Sequence, residues 1–86
     1  MDYIERRITD AEIDYNMLRV GQHEKNEFYS RLSKRFTAKV GMYVLENRTL
    51  GKRRIAMGNK AMKQFSPFDL VTIKIQDGVL IVKSSG

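Results

Sequence analysis

The chain has 86 residues, with no cysteine, one histidine and one proline. The lack of cysteine excludes disulfides and thiolate metal ligands as sources of stability. His23 has no second histidine or cysteine to work with, so a Ser/His/Asp or Cys/His array has no anchor. Glycines are scattered, and Gly51-Lys52 and Gly58-Asn59 stand isolated, so no glycine-rich phosphate loop is present. No apolar run approaches the roughly 18 residues that cross a bilayer. Met1-Asp2-Tyr3-Ile4-Glu5 lacks the basic-then-apolar pattern of a secretory signal. These absences lead us to expect a soluble, cytoplasmic protein that is not an enzyme and carries neither metal nor cofactor.

What is present points to a folded domain. Hydrophobic residues make up 42% of the chain, too many for a disordered tail. A single domain this small buries only about 60–65% of its unfolded surface, so pairing with a second copy is the expected route to a secure core.

The net charge of +6 is unevenly spread. Residues 1–30 carry a net −3, and residues 66–86 balance to zero. Residues 31–65 hold ten Lys and Arg against Glu46 alone, a net of +9. Crowded like charges raise the energy of a compact state unless an anion approaches, so this stretch reads as a phosphate-binding surface.

The local patterns divide the chain after residue 38. Residues 9–20 predict a helix, with Thr9 as N-cap, Glu12 completing a capping box and Ile8 with Ile13 as a hydrophobic staple. Capping also accounts for Asp10, Glu12 and Asp14, which are too few oxygen ligands for a hard cation. Ile13, Met17 and Val20 make an apolar stripe, and Gly21 marks the stop. Phe28, Leu32 and Phe36 at i+4 spacing predict a second helix over residues 23–36, with Arg31, Lys34 and Arg35 in its last turns. Residues 42–45 and 53–56 then read as strands about a turn at residues 47–51, and residues 59–65 as a brief helix ended by Ser66-Pro67. Residues 70–76 alternate Val71, Ile73 and Ile75 with Thr72, Lys74 and Gln76. Asp77-Gly78 follows and Val79-Leu80-Ile81-Val82 returns, which is a β-hairpin. Among the aromatics, Phe28 and Phe36 fall at core spacing, and Tyr43 reads as a half-buried strand residue.

From Gly41 onward the order is strand, basic turn, strand, short helix, strand, Asp-Gly turn, strand. Leu50-Gly51-Lys52, Ile55-Ala56, Pro67-Phe68-Asp69 and Val71, Ile73, Asp77, Gly78 follow one another without a gap. This run resembles the AbrB/SpoVT family of swapped-hairpin DNA-binding domains, which includes MazE-like antitoxins. Lys52 stands where that family has arginine, and Ala56 where it has proline. The resemblance implies a β-β-α-β-β swapped-hairpin domain over residues 39–86. Residues 1–38 have no counterpart in that family, and the two helices read there from the local pattern make an N-terminal extension, for an α+β fold as a whole. It also implies an obligate homodimer of interleaved hairpins that presents turn cations to DNA. Lys52 is the residue carried over from the turn motif. Arg48, Arg53 and Arg54 join it by position, and Lys60, with Lys63 beside it, extends the patch.

The leading functional expectation is a small, basic, dimeric DNA-binding protein that regulates transcription. An alternative is a phage- or plasmid-type module, inhibitor or antitoxin, that docks on a protein partner through Ile13, Met17 and Val20. A third is a winged helix, with residues 9–36 as helix-turn-helix and residues 70–83 as the wing. An RNA target fits each of these equally well.

Overall fold

A computed structural model describes residues 2–86, so Met1 of the N-terminal pentapeptide lies outside it. Seven strands dominate: β1 (Tyr3–Arg7), β2 (Met17–Arg19), β3 (Phe36–Val40), β4 (Tyr43–Arg48), β5 (Arg54–Ala56), β6 (Leu70–Gln76) and β7 (Val79–Ser84). Two short helices, α1 (Asp10–Asp14) and α2 (Gln22–Glu27), and 3-10 turns at Tyr29–Arg31 and Met62–Gln64 complete the chain. Five strands form one sheet in the order β1-β6-β7-β3-β4, and β2 with β5 forms a separate ribbon.

The fold therefore differs from the expected pair of N-terminal helices followed by a swapped-hairpin domain. The capping box is real: Thr9 Oγ1 accepts from the Glu12 amide, and the Glu12 carboxylate accepts from the Thr9 amide. But α1 is five residues long. Asn16 takes a left-handed φ of 53°, which asparagine tolerates well, and the chain leaves the helix to become β2. Leu18 and Val20 are then buried with Arg19 exposed between them, a period of two rather than 3.6. The second predicted helix stops at Glu27 because Phe28 and Tyr29 both turn into the core, where their rings meet edge to face at 5.0 Å. Phe36 belongs to β3, whose burial alternates through Ala38 and Val40. The boundary expected after residue 38 thus falls inside a strand, and residues before it supply β1 to the sheet edge. With α1 and α2 this short, the winged-helix arrangement has no helix-turn-helix.

The hairpin at Asp77-Gly78 is formed as expected, with both residues at positive φ (53° and 77°). Its strands pair with β1 and, in parallel, with β3 of the same chain. One face of the sheet buries Ile4, Ala38, Val40, Val71, Ile73, Leu80 and Val82. Packed on it are Ile8, Leu18, Phe28, Tyr29, Ile55, Met57 and Met62 from the other layer. The opposite sheet face is open. Gly41, at φ 57°, closes the β3–β4 turn against Gln64, whose amide bonds the Val40 carbonyl and Met42 amide; a Cβ there would strike the Gln64 side chain.

Candidate functional site

The β2–β5 ribbon carries the site. Its register pairs Met17 with Ala56, Leu18 with Ile55 and Arg19 with Arg54. Side chains alternate across a strand, so Leu18 and Ile55, both fully buried, face the sheet. Met17, Ala56, Arg19 and Arg54 face away from it. The turn leading into β5 is tight: the Gly51 amide donates to the Arg54 carbonyl at 2.9 Å, and the Arg53 amide to the Gly51 carbonyl at 2.7 Å. Lys52 and Arg53 form its tip. Gly51 does not take a positive φ; Arg53 does, at 58°. The Val20 amide holds that conformation by donating to the Arg53 carbonyl at 2.9 Å.

Beside the ribbon lies a cleft of about 400 Å³, lined by Arg6, Glu12, Arg19, Glu24 and the turn residues 52–54. Its floor is an ion pair whose Glu12 end is fully buried and whose Arg6 end is partly so. Arg6 donates from Nη1 to Glu12 Oε1 at 2.9 Å and from Nη2 to Oε2 at 2.6 Å. Glu12 also accepts from the Thr9 amide at 3.0 Å and the Arg19 amide at 2.8 Å. Burial alone would raise the Glu12 carboxyl, but the Arg6 guanidinium and the Arg19 and Thr9 amides outweigh it and hold it below the ordinary carboxylate value. Burial likewise works against the Arg6 charge, and the Glu12 hydrogen bond and charge raise it overall. This is the one ion pair among the described residues. Arg6 and Glu12 cancel one another, which leaves Arg19, Lys52, Arg53 and Arg54 facing Glu24 alone. Glu24 itself accepts from the Gly21 amide at 3.3 Å as the cap of α2.

Of the cations singled out in the sequence, Lys52, Arg53 and Arg54 meet in this cleft. Arg48 sits elsewhere: its guanidinium donates to the Glu46 and Ala56 carbonyls, both at 3.1 Å, and ties β4 to β5. Lys60 is exposed in the loop after β5, outside the cleft lining. Lys63 donates to the Ile13 carbonyl at 2.7 Å and so neutralises the carbonyl end of α1. Arg31 stacks over the Phe28 ring at 4.8 Å. The predicted Ile13-Met17-Val20 docking stripe is dispersed, since Val20 is buried, Ile13 packs on the core and Met17 is on the ribbon's outer face. Arg6 and Arg19 are site residues that the sequence pattern does not single out. The alternation Leu18-Arg19-Val20 is the signal for Arg19, but the capping box upstream favours a helix through those residues.

A second cleft, of about 570 Å³, lies along the same ribbon. Ala11, Tyr15, Asn16, Thr49 and Ala56 line it, and it shares Met17 and Arg54 with the first. Among the described residues no group of three His, Asp or Glu is placed to hold a metal ion. No helix among them is long and apolar enough to cross a membrane. No family model, curated protein or solved structure matches the chain.

Proposed function

We propose that the chain is a small cytoplasmic nucleic-acid-binding protein, of the kind that regulates transcription, and that it grips the sugar-phosphate backbone with the β2–β5 ribbon. The observation that carries this reading is the placing of Arg19 directly opposite Arg54, with Lys52 and Arg53 at the adjoining tip. Four cations around one cleft with Glu24 as their free acidic neighbour repel one another until an anion arrives. Guanidinium forks match phosphate oxygens two at a time, which suits Arg19, Arg53 and Arg54 better than a role in solubility alone.

Binding is tested by fluorescence anisotropy with labelled DNA over a salt series. The Arg19→Ala, Arg54→Ala double variant should weaken binding and flatten the salt dependence by roughly 0.7–0.9 in log–log slope for each phosphate no longer neutralised. Lys39→Ala, Lys83→Ala removes the same charge from the opposite, open face of the sheet and should leave affinity nearly unchanged. Equal losses in both double variants overturn the assignment to the ribbon.

A further inference from the structure

Taking the ribbon as the nucleic-acid grip, we infer that its ligand is single-stranded, and that Tyr15 stacks on one of the bases in the second cleft. The outward face of the ribbon has two chemically distinct halves. Arg19 and Arg54 form a cationic pair, and Met17 and Ala56 form an apolar pair two residues further along the same ladder. At a strand rise of about 3.3 Å per residue the two pairs lie roughly 7 Å apart, within the span of one nucleotide. The clefts follow the same division. The first is walled mainly by charged residues, and the second mainly by Ala11, Met17, Ala56 and Tyr15, with Asn16 and Thr49 as its neutral polar members. Arg54 and Met17, one from each pair, stand on the boundary and line both.

Tyr15 is 74% exposed, though it is the residue at which α1 ends. Its amide is committed to the Ala11 carbonyl at 2.9 Å, and the left-handed Asn16 that follows turns the chain sharply into β2. The backbone at Tyr15 is thus fixed while its ring stays uncovered at the mouth of an apolar cleft beside an arginine pair. A ring presented this way offers a stacking platform to an unpaired base, with the phosphate next to it on Arg19 and Arg54. In a duplex both faces of every base are already covered by its neighbours, so the second cleft would go unused.

The test compares a labelled oligothymidylate strand with the same strand annealed to oligoadenylate, at one salt concentration. The strand should bind more tightly than the duplex. Tyr15→Ala should weaken strand binding by about tenfold and leave the weaker duplex binding unchanged, while Tyr15→Phe keeps strand affinity. The chain has no tryptophan, so strand binding can also be read from tyrosine emission. Quenching on binding should be smaller in Tyr15→Phe than in the unaltered chain. Circular dichroism of each variant confirms that the fold is intact, and the emission comparison does not depend on the alanine variant folding. Duplex binding as tight as strand binding, or quenching that is the same in Tyr15→Phe, overturns this inference. The ribbon assignment would survive that result if Arg19→Ala, Arg54→Ala still abolished duplex binding. Failure of the unaltered chain to bind either probe would remove both.

Discussion

Arg19 and Arg54 stand directly opposite each other on the outward face of an antiparallel ribbon whose other face is buried in the core. Like charges in that position destabilise a ladder. The adjoining residue, Arg53, occupies a left-handed conformation that suits glycine or asparagine better than a long side chain. Two local penalties thus fall on consecutive residues of one β-turn, next to a cleft that gathers four cations. Strain and repulsion concentrated in this way support the binding role proposed for this surface.

Replacing Arg54 with threonine should separate the two roles. Threonine suits a strand, ends the Arg19–Arg54 repulsion and keeps the backbone bond from Gly51 to residue 54. We expect Arg54→Thr to stabilise the fold by roughly 0.2–1 kcal/mol in urea titration while it weakens nucleic-acid binding. A loss of stability would show that Arg54 makes a favourable contact in the free protein.

Arg53→Gly addresses the strained tip. Relief of the left-handed φ of 58° is partly offset by the greater freedom of glycine in the unfolded chain. The expected net gain is about 0.5–1 kcal/mol, read as a higher melting temperature, again with weaker polyanion binding. The matching change Lys52→Gly, where no positive φ is present, should destabilise instead.

The sequence showed some of this directly and hid the rest for physical reasons. The Asp77-Gly78 hairpin and the Thr9–Glu12 capping box are decided within a few residues, and both formed where expected. The basic turn was also visible, because ten cations between residues 31 and 65 do not depend on topology. Residues 17–20 and Phe36 look helical in the sequence because Ile13-Met17-Val20 and Phe28-Leu32-Phe36 satisfy a helical period by coincidence. Tertiary pairing with β5 and with β4 and β7 decided those segments. Arg6 was invisible as a site residue, since its partner Glu12 is six positions away, a spacing that neither a helical nor a strand period singles out as a charge pair.

The buried pair makes an acid-side prediction. The Glu12 carboxyl lies below its usual value of 4.5, so its unfolded form takes up a proton at a higher pH than its folded form does. The stability it contributes is complete above about pH 4.5 and is lost as the pH falls through the lower, folded value. Glu12→Gln leaves the Arg6 charge partly buried and uncompensated, and should cost about 3 kcal/mol at neutral pH. Urea midpoints taken from pH 7 downward should fall for the unaltered chain and stay flatter for Glu12→Gln. Parallel curves would mean that other carboxylates govern acid unfolding.

Tyr29 makes the alkaline counterpart. Its hydroxyl is buried without a protein partner, and burial pushes its ionisation well above the ordinary value of 10.0. A raised folded value means that this group's contribution is complete below pH 10.0 and is lost as the pH rises through the folded value. Tyr29→Phe removes the unpaired oxygen and keeps the ring that meets Phe28. It should be neutral to about 1 kcal/mol stabilising at pH 7, and its alkaline loss of stability should be shallower. A clear destabilisation at pH 7 would reveal a hydrogen bond to the hydroxyl in solution.

Glu24 is the acid that tempers the cleft, and its removal gives a prediction of opposite sign from the arginine variants. Its carboxylate lines the cationic cleft and caps α2 through the Gly21 amide. Glutamine serves the same capping position, so Glu24→Gln should keep α2 while it deletes one negative charge beside Arg19 and residues 52–54. A phosphate entering the cleft then meets less repulsion. At partly exposed separations the gain is worth roughly two- to fivefold in affinity at low salt, and it should shrink as added salt screens the charges. Glu46→Gln, which removes the same charge from the exposed β4, should change affinity little. If Glu24→Gln binds DNA more weakly than the unaltered chain, the phosphate does not sit beside Glu24 in this cleft.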